Sequence, residues 1–209
     1  MDWKNSFEVT TVDLLRHGSC EGGEVYRGST DLPLDPQGWE QMRKAVKCTD
    51  SPWQSVVSSP LQRCRLFSEE LVNRMNIPLK IDDGFQELHF GDWEGRTFSE
   101  VWQEEHNHVQ LFFANPIDNT PPNGESMPSF RNRVMASWRA MLACHRGKHA
   151  LLVAHGGTIR ILLSEILEMP MHKMASLTVP YACLSRVVVY HTEKGDSTHL
   201  VFHNKGSIE

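Results

Sequence analysis

Val9-Thr10-Thr11-Val12-Asp13-Leu14-Leu15 runs directly into Arg16-His17-Gly18, and the rest of the chain reads outward from this junction. Seven residues rich in Val, Leu and Thr describe a short buried strand. A histidine placed just after such a strand can point its imidazole into a crevice. The glycine beside it allows a bound group close to the backbone. The arginine before it offers paired planar donors that suit an oxyanion. An isolated Arg-His-Gly is more often a structural strand ending. Here the pattern recurs: Ala150 to Ala154 forms a second buried strand that stops at His155-Gly156-Gly157. A third short strand, Gln54 to Val57, ends in Ser58-Ser59-Pro60.

Helical periods lie between these strands. Pro36 opens a helix to about Cys48, with Trp39, Met42 and Val46 on one face. Pro60 opens another, carrying Leu61, Cys64, Phe67, Leu71 and Met75. Leu79 to Ile81 reads as a strand. Ser126 or a neighbour caps a long helix to about His145, with Phe130, Val134, Trp138 and Met141 as its stripe. Thr158 starts a helix to Leu167. Leu184 to His191 and Thr198 to Phe202 are the last strands, joined through Lys194-Gly195-Asp196. Between about 82 and 124 the periodicity weakens, and the segment reads as a cap insertion over one end of the sheet. The alternation predicts an α/β fold, a three-layer sandwich with a mostly parallel central sheet flanked by helices, all in one domain over 1–209. Sites in such sheets lie beyond the carboxyl ends of strands, where all three junctions fall.

Composition narrows the function classes. The 209 residues are 40% hydrophobic and 22% charged, with net charge −5, so the chain reads as globular and mildly acidic. No basic run supports a nucleic-acid partner, and no apolar run is long enough for a membrane span. Cys20, Cys48, Cys64, Cys144 and Cys183 are widely spaced without a CxxC pair. That argues against a disulfide framework or zinc site and for the cytoplasm. The N-terminal stretch lacks the apolar core of a signal peptide. No His-x-x-x-His pair lies near carboxylates on one helix, so no metal is expected, and no cofactor. His106 and His108 read as solvated, His145 and His149 as flanking a turn, and His191, His199 and His203 as surface residues.

Four segments together carry a resemblance. Leu14-Leu15-Arg16-His17-Gly18, Ser58-Ser59-Pro60-Leu61-Gln62-Arg63-Cys64, the loop from Glu87 to Gly95, and Ala154-His155-Gly156-Gly157 resemble the histidine phosphatase superfamily in order and spacing. The resemblance implies that His17 attacks phosphorus and forms a phosphohistidine. It implies that Arg16, Arg63 and His155 gather around the phosphoryl oxygens, with Gly156 at the same site. It assigns Glu87 as the acid that protonates the leaving alcohol. Asp92 and Glu94 share that loop, and Glu94 before Gly95 reads as structural. Arg65 reads as solvated, and His89 as neither ligand nor catalyst.

Within the family, the stretch from Arg16 to Leu34 is similar to α-ribazole phosphatases, which dephosphorylate α-ribazole 5′-phosphate in cobalamin nucleotide-loop assembly. Gly23 stands where a phosphoglycerate mutase would carry asparagine, and Ser19 where Glu or Gln is usual. Arg27 either reaches an anion or pairs with Asp31 in a turn. Glu125-Ser126 resembles a family segment near the site mouth and also suits a helix cap. Trp93, Trp102, Phe112 and Phe113 either stack on a flat base or, the more frequent role, form the cap's own core. The readings left open are a phosphomonoesterase for a small phosphate ester, a mutase-type isomerase or broad sugar phosphatase, a protein phosphohistidine phosphatase, and a non-catalytic phosphate-binding protein. A homodimer is compatible with all of them.

Overall fold

A computed structural model describes residues 8–47 and 53–205. In chain order the elements are β1 (Glu8–Arg16), α1 (Pro36–Lys47), β2 (Ser55–Ser58), α2 (Gln62–Met75), β3 (Leu79–Ile81), α3 (Phe98–Ala114), α4 (Met127–Cys144), β4 (His149–Ala154), α5 (Gly156–Ile166), β5 (Leu184–Thr192) and β6 (Gly195–Phe202). The strands form one sheet in the order β3-β2-β4-β1-β5-β6. β3, β2, β4 and β1 run parallel, β5 is antiparallel to β1, and β6 is antiparallel to β5. The mostly parallel sheet flanked by helices is therefore present.

Strand alternation feeds two apolar cores. Val12 and Leu14 of β1 face one side with Phe130, Val134 and Trp138 of α4 and Ile159 and Leu162 of α5. Leu15 faces the other with Met42 of α1 and Cys64, Phe67 and Leu71 of α2. Parallel strands covered on both faces are buried almost throughout, and the interior strand β2 is fully buried.

Several boundaries differ from the sequence pattern for local reasons. Pro60 lies outside α2, which starts at Gln62 with Leu61 as its cap residue. Leu61 has no side-chain acceptor to offer, so the Gln62 N–H is taken by Asp31 Oδ1 at 2.6 Å. α5 begins at Gly156, two residues before Thr158, with His155 as the cap residue. β6 starts at Gly195, because Gly195 and Asp196 already pair with Thr192 and His191. Gly195 takes φ +118, which only glycine adopts easily. Ser126 does cap α4, accepting the Ser129 N–H at 3.3 Å.

The largest difference lies between 82 and 124. This stretch holds two short 3-10 turns and the seventeen-residue helix α3. Thr97 and Glu100 form a reciprocal capping box at its start. At Glu105 the backbone leaves helical geometry (φ −126°, ψ 33°) and α3 kinks. A kink resets the phase of the apolar stripe, so the periodicity fades although the helix exists.

Beneath α1 and α2, Asp13 is fully buried and saturated. Arg186 donates to it twice, at 2.7 and 2.9 Å, Trp53 Nε1 at 2.8 Å, and His149 Nε2 lies at 3.1 Å. Burial alone would push its pKa up, but these donors outweigh it and hold the carboxyl below its usual value. A depressed carboxylate stabilises above its unfolded pKa and loses that contribution as pH falls through the folded one. Asp13→Asn is expected to cost about 3 kcal/mol at neutral pH, because Arg186 is left half-buried without its counter-charge. Urea unfolding at pH 7 and pH 3 measures this, and the gap between variant and wild type narrows at pH 3.

Candidate active site

Three adjacent parallel strands deliver the site. β1 ends at Arg16 and passes to His17, β2 passes to Ser59, and β4 passes to His155. The rings of His17 and His155 lie 5.2 Å apart, edge to face. Both residues are buried, as is the whole of Arg63.

Hydrogen bonds define the tautomers. His17 Nδ1 lies 2.8 Å from the Gly18 carbonyl. A carbonyl only accepts, so Nδ1 carries the proton and Nε2 keeps its lone pair. Burial first, then the charges of Arg63 and Arg16, hold the His17 pKa well below its usual value. A neutral imidazole with a free Nε2 is what a nucleophile needs. His155 takes the opposite tautomer. Arg63 Nε donates to its Nδ1 at 3.2 Å, so Nε2 bears the proton and meets Ser59 Oγ at 2.7 Å. Burial and then Arg63 keep His155 neutral as well.

Each ring rests on a cysteine. Cys20 Sγ is 3.5 Å from His17 Nδ1, and Cys64 Sγ is 3.7 Å from His155 Nε2. Burial raises both thiols, which keeps them uncharged. The four described cysteines are all unpaired, and Cys48 lies outside the described residues.

The glycines are required for reasons the pattern does not disclose. A Cβ on Gly18 would sit 2.2 Å from the Gly38 carbonyl of α1, so Gly18 admits a neighbouring helix rather than a bound group. A Cβ on Gly157 would meet Glu87 Oε1 at 2.3 Å. The acceptor at the start of α5 is Glu87 itself: its Oε2 takes the Gly157 N–H at 2.8 Å. Its Oε1 accepts the Leu88 N–H at 3.0 Å. Gly156 is closely covered by Arg16 Nε and Arg160 Nη1, each 3.3 Å from where a Cβ would stand.

Arg16, His17, Arg27, Glu87 and Gly156 all line a cavity of about 220 Å³, together with Tyr26, Arg160 and Tyr181. Arg63 and His155 stand behind His17 instead of on its wall. Arg63 donates to Thr30 O at 2.8 Å and Gly28 O at 2.7 Å, so it also fixes the 27–30 loop. Arg27 does not pair with Asp31. It donates to Glu21 O at 2.8 Å and Gly23 O at 2.7 Å, while Asp31 serves α2. The buried Nε–H groups of Arg16 and Arg27 have no hydrogen-bond partner among the described residues. Arg160 is a site residue that no motif announces. It stands just past the first turn of α5 and is aimed by a 2.9 Å bond from its Nε to Leu177 O.

An adjoining cavity of about 320 Å³ shares Glu87, Phe90, Phe113 and Arg160 with the first, and its remaining wall includes Leu88, Phe112, Met127 and Phe130. The four cap aromatics divide. Trp93 and Phe112 are core, Phe113 is exposed and lines both cavities, and Trp102 is exposed beside His106.

Supporting residues sort likewise. Glu94 is structural: it accepts N–H bonds from Ser29, Thr30 and Phe90, each at 2.9 Å. Burial opposes its charge, but these donors prevail and lower its pKa. Ser19 Oγ donates to Asp35 and serves the start of α1. Arg65 pairs with Glu69 at 2.8 Å on the solvent side, and His89 Nδ1 only accepts the Gly91 N–H. Glu125 is drawn into an ion pair with Arg133, which also donates to the carbonyls of Gly84, Gln86 and Glu87. Two histidines are less exposed than the pattern suggests: His108 bonds Thr120 O, and buried His191 bridges Thr10 and Asp196.

Two expected results follow from this geometry. Arg63→Met removes the charge that, after burial, lowers the His17 pKa most, so that pKa rises toward the ordinary histidine range, measurable by imidazole NMR titration. Arg133→Met frees the loop that carries Glu87. It is expected to lower kcat about 10- to 100-fold while leaving phosphate binding within a few-fold, read by steady-state kinetics and product inhibition.

No helix among the described residues is long and apolar enough to cross a membrane, and no group of three or more metal-ligating side chains occurs among them. Comparison with known proteins adds a consistent set of relatives. The family model for the histidine phosphatase superfamily (branch 1) matches residues 12–201. The uncharacterized phosphatase PhoE of Bacillus subtilis (strain 168) is 30% identical over 182 residues, covering 86% of this chain and 88% of that protein. The probable phosphoglycerate mutase GpmB of Escherichia coli O1:K1 / APEC is 30% identical over 179 residues, covering 84% and 83%. Among solved structures, the α-ribazole phosphatase from Shigella flexneri superposes with TM-score 0.79 at 25% identity, covering 95% of this chain and 98% of that one.

Proposed function

The chain belongs to the histidine phosphatase superfamily, and from that premise we propose that it is a metal-independent phosphomonoesterase working through a phosphohistidine on His17. The observation that carries the proposal is the fixed His17 tautomer, with Nδ1–H held by Gly18 O and Nε2 left with its lone pair at the cavity. In the first step His17 Nε2 bonds phosphorus in line as the ester P–O bond breaks. Glu87 gives a proton to the departing alkoxide. In the second step water attacks the phosphohistidine, Glu87 takes its proton, and inorganic phosphate leaves. Arg16 and Arg27 stabilise the phosphoryl charge from the cavity wall, and Arg63 and His155 act from behind the nucleophile. No cofactor takes part.

The adjoining cavity supports the choice of substrate. Its wall of Leu88, Phe90, Phe112, Phe113, Met127 and Phe130 suits an alcohol half that is apolar and flat. α-Ribazole 5′-phosphate has that character, and the reaction would yield α-ribazole in cobalamin nucleotide-loop assembly, in the cytoplasm. The similarity to a protein named a probable phosphoglycerate mutase makes an isomerase the second reading. The test is phosphate release in EDTA from α-ribazole 5′-phosphate, 3-phosphoglycerate and p-nitrophenyl phosphate. A clear preference for the first supports the full assignment. Weak, even turnover keeps the phosphatase and removes the substrate. Isomerisation of 3-phosphoglycerate that depends on a bisphosphate replaces it with the mutase.

A further inference from the structure

The segment from Val179 to Cys183, just before β5, wraps the end of β1. The Arg16 backbone N–H donates to Cys183 O at 3.0 Å, and the Ala182 N–H donates to His17 O at 3.1 Å. The Arg16 side chain is tied to the same segment, with Nη1 donating to Val179 O at 2.6 Å. Its guanidinium carbon sits 4.2 Å from the centre of the Tyr181 ring. The same ring lies 5.8 Å from that of His17 and forms part of the cavity wall. The turn itself is strained. Ala182 holds φ +53 although it carries a Cβ, a conformation that costs about 1 kcal/mol and persists only where surrounding contacts enforce it. The Cys183 N–H closes the turn onto Pro180 O at 3.1 Å.

We propose that Tyr181 is the positioning residue for Arg16, its ring face holding the guanidinium plane toward the phosphoryl site, with the strained Ala182 turn keeping the ring in place. Two features of the site create the need for such a device. Arg160 Nη1 and Arg16 Nε crowd the same face of Gly156, so two like charges are held side by side. The Arg16 Nε–H has no hydrogen-bond partner to fix its direction. A stacked ring restrains the plane of a guanidinium without consuming any of its donors, which remain available to an anion. The Tyr181 hydroxyl bonds to no described residue, so the ring face and not the oxygen is the working part. The inference rests on the reading that Arg16 binds phosphate.

The experiment compares Tyr181→Leu and Tyr181→Phe in wild-type and Arg16→Ala backgrounds. Its readouts are inorganic phosphate binding by calorimetry and kcat/KM on p-nitrophenyl phosphate. Tyr181→Leu is expected to weaken phosphate binding and kcat/KM about tenfold. Tyr181→Phe recovers most of that loss. In the Arg16→Ala background Tyr181→Leu adds less than about twofold, since no guanidinium remains to hold. Ala182→Gly relieves the strain, so its thermal midpoint holds or rises while phosphate binding weakens. Equal effects of Tyr181→Leu in both backgrounds, a Tyr181→Phe as weak as Tyr181→Leu, or no effect at all would overturn the inference. A wild-type protein that neither binds phosphate nor hydrolyses the ester would instead bring down the phosphatase reading.

Discussion

His17→Ala is expected to lose about 10⁴- to 10⁶-fold in p-nitrophenyl phosphate turnover, while keeping measurable affinity for inorganic phosphate. The loss is large because, in the proposed mechanism, imidazole Nε2 forms the bond to phosphorus and is not a contributor to a field. Without it the reaction must proceed by direct attack of water, whose position nothing in the site defines. Phosphate affinity survives because Arg16, Arg27 and Arg160 line the cavity independently of the ring. Arg63 is held by Thr30 and Gly28, and His155 by Ser59, so the surroundings do not collapse with it. The pH profile of the wild type carries a second signature. Burial and the charges of Arg63, Arg16 and Arg27 hold the His17 pKa well below its usual value. Protonation of the nucleophile therefore cannot produce an acid limb near pH 6.5; any limb from this residue lies lower. A His17→Ala protein with more than a tenth of wild-type turnover would end the phosphohistidine mechanism.

Glu87→Gln separates the two halves of the cycle. On an alkyl ester such as α-ribazole 5′-phosphate the leaving alkoxide needs a proton, and the expected loss is about 10²- to 10⁴-fold. On p-nitrophenyl phosphate the phenolate departs unaided, so the first turnover stays fast. The second step then lacks the base that takes the proton from water, and phosphoenzyme accumulates. The result is a burst of p-nitrophenolate equal to the enzyme concentration, followed by a slow steady rate. Glutamine preserves an oxygen for the Gly157 N–H that now holds Glu87 Oε2 and gives up only the local bond from the Leu88 N–H. Full activity of Glu87→Gln on the alkyl ester removes Glu87 from the acid role, and the described residues then offer no other carboxylate on the cavity wall.

The parts of the site that are legible in the sequence are those announced twice. Two buried strands ending in histidine and glycine define one end of one sheet. The structure brings Arg16, His17 and His155 together there, and Arg63 and Glu87, legible only through the family resemblance, stand beside them. Residues announced once, without a motif, stay hidden. Arg160 is one residue on a helix face, and its relevance arises only because Leu177 O turns it over Gly156. Tyr181 depends on a left-handed alanine, which no composition rule foresees. Gly18 is the right residue for another reason: steric demand from α1 is a tertiary fact. α3 escapes the period test because its kink at Glu105 splits one apolar stripe into two short ones, although Thr97 and Glu100 spell a capping box. His191 reads as surface until β5 pairs on both sides, with β1 and β6.

The strand order has a consequence in time as well as in space. β4 lies between β1 and β2, yet it enters the chain long after both. Until it inserts, β1 and β2 have no partner in common. The register that sets Arg16 opposite Ala154, and so His17 near His155, does not yet exist. Pairings between distant parts of a chain are slow to form, because loop closure must precede the contacts that reward it. Catalytic competence is therefore a late event in folding. In a refolding experiment, regain of phosphate release would lag the early growth of helical signal, reporting the moment the central strand docks.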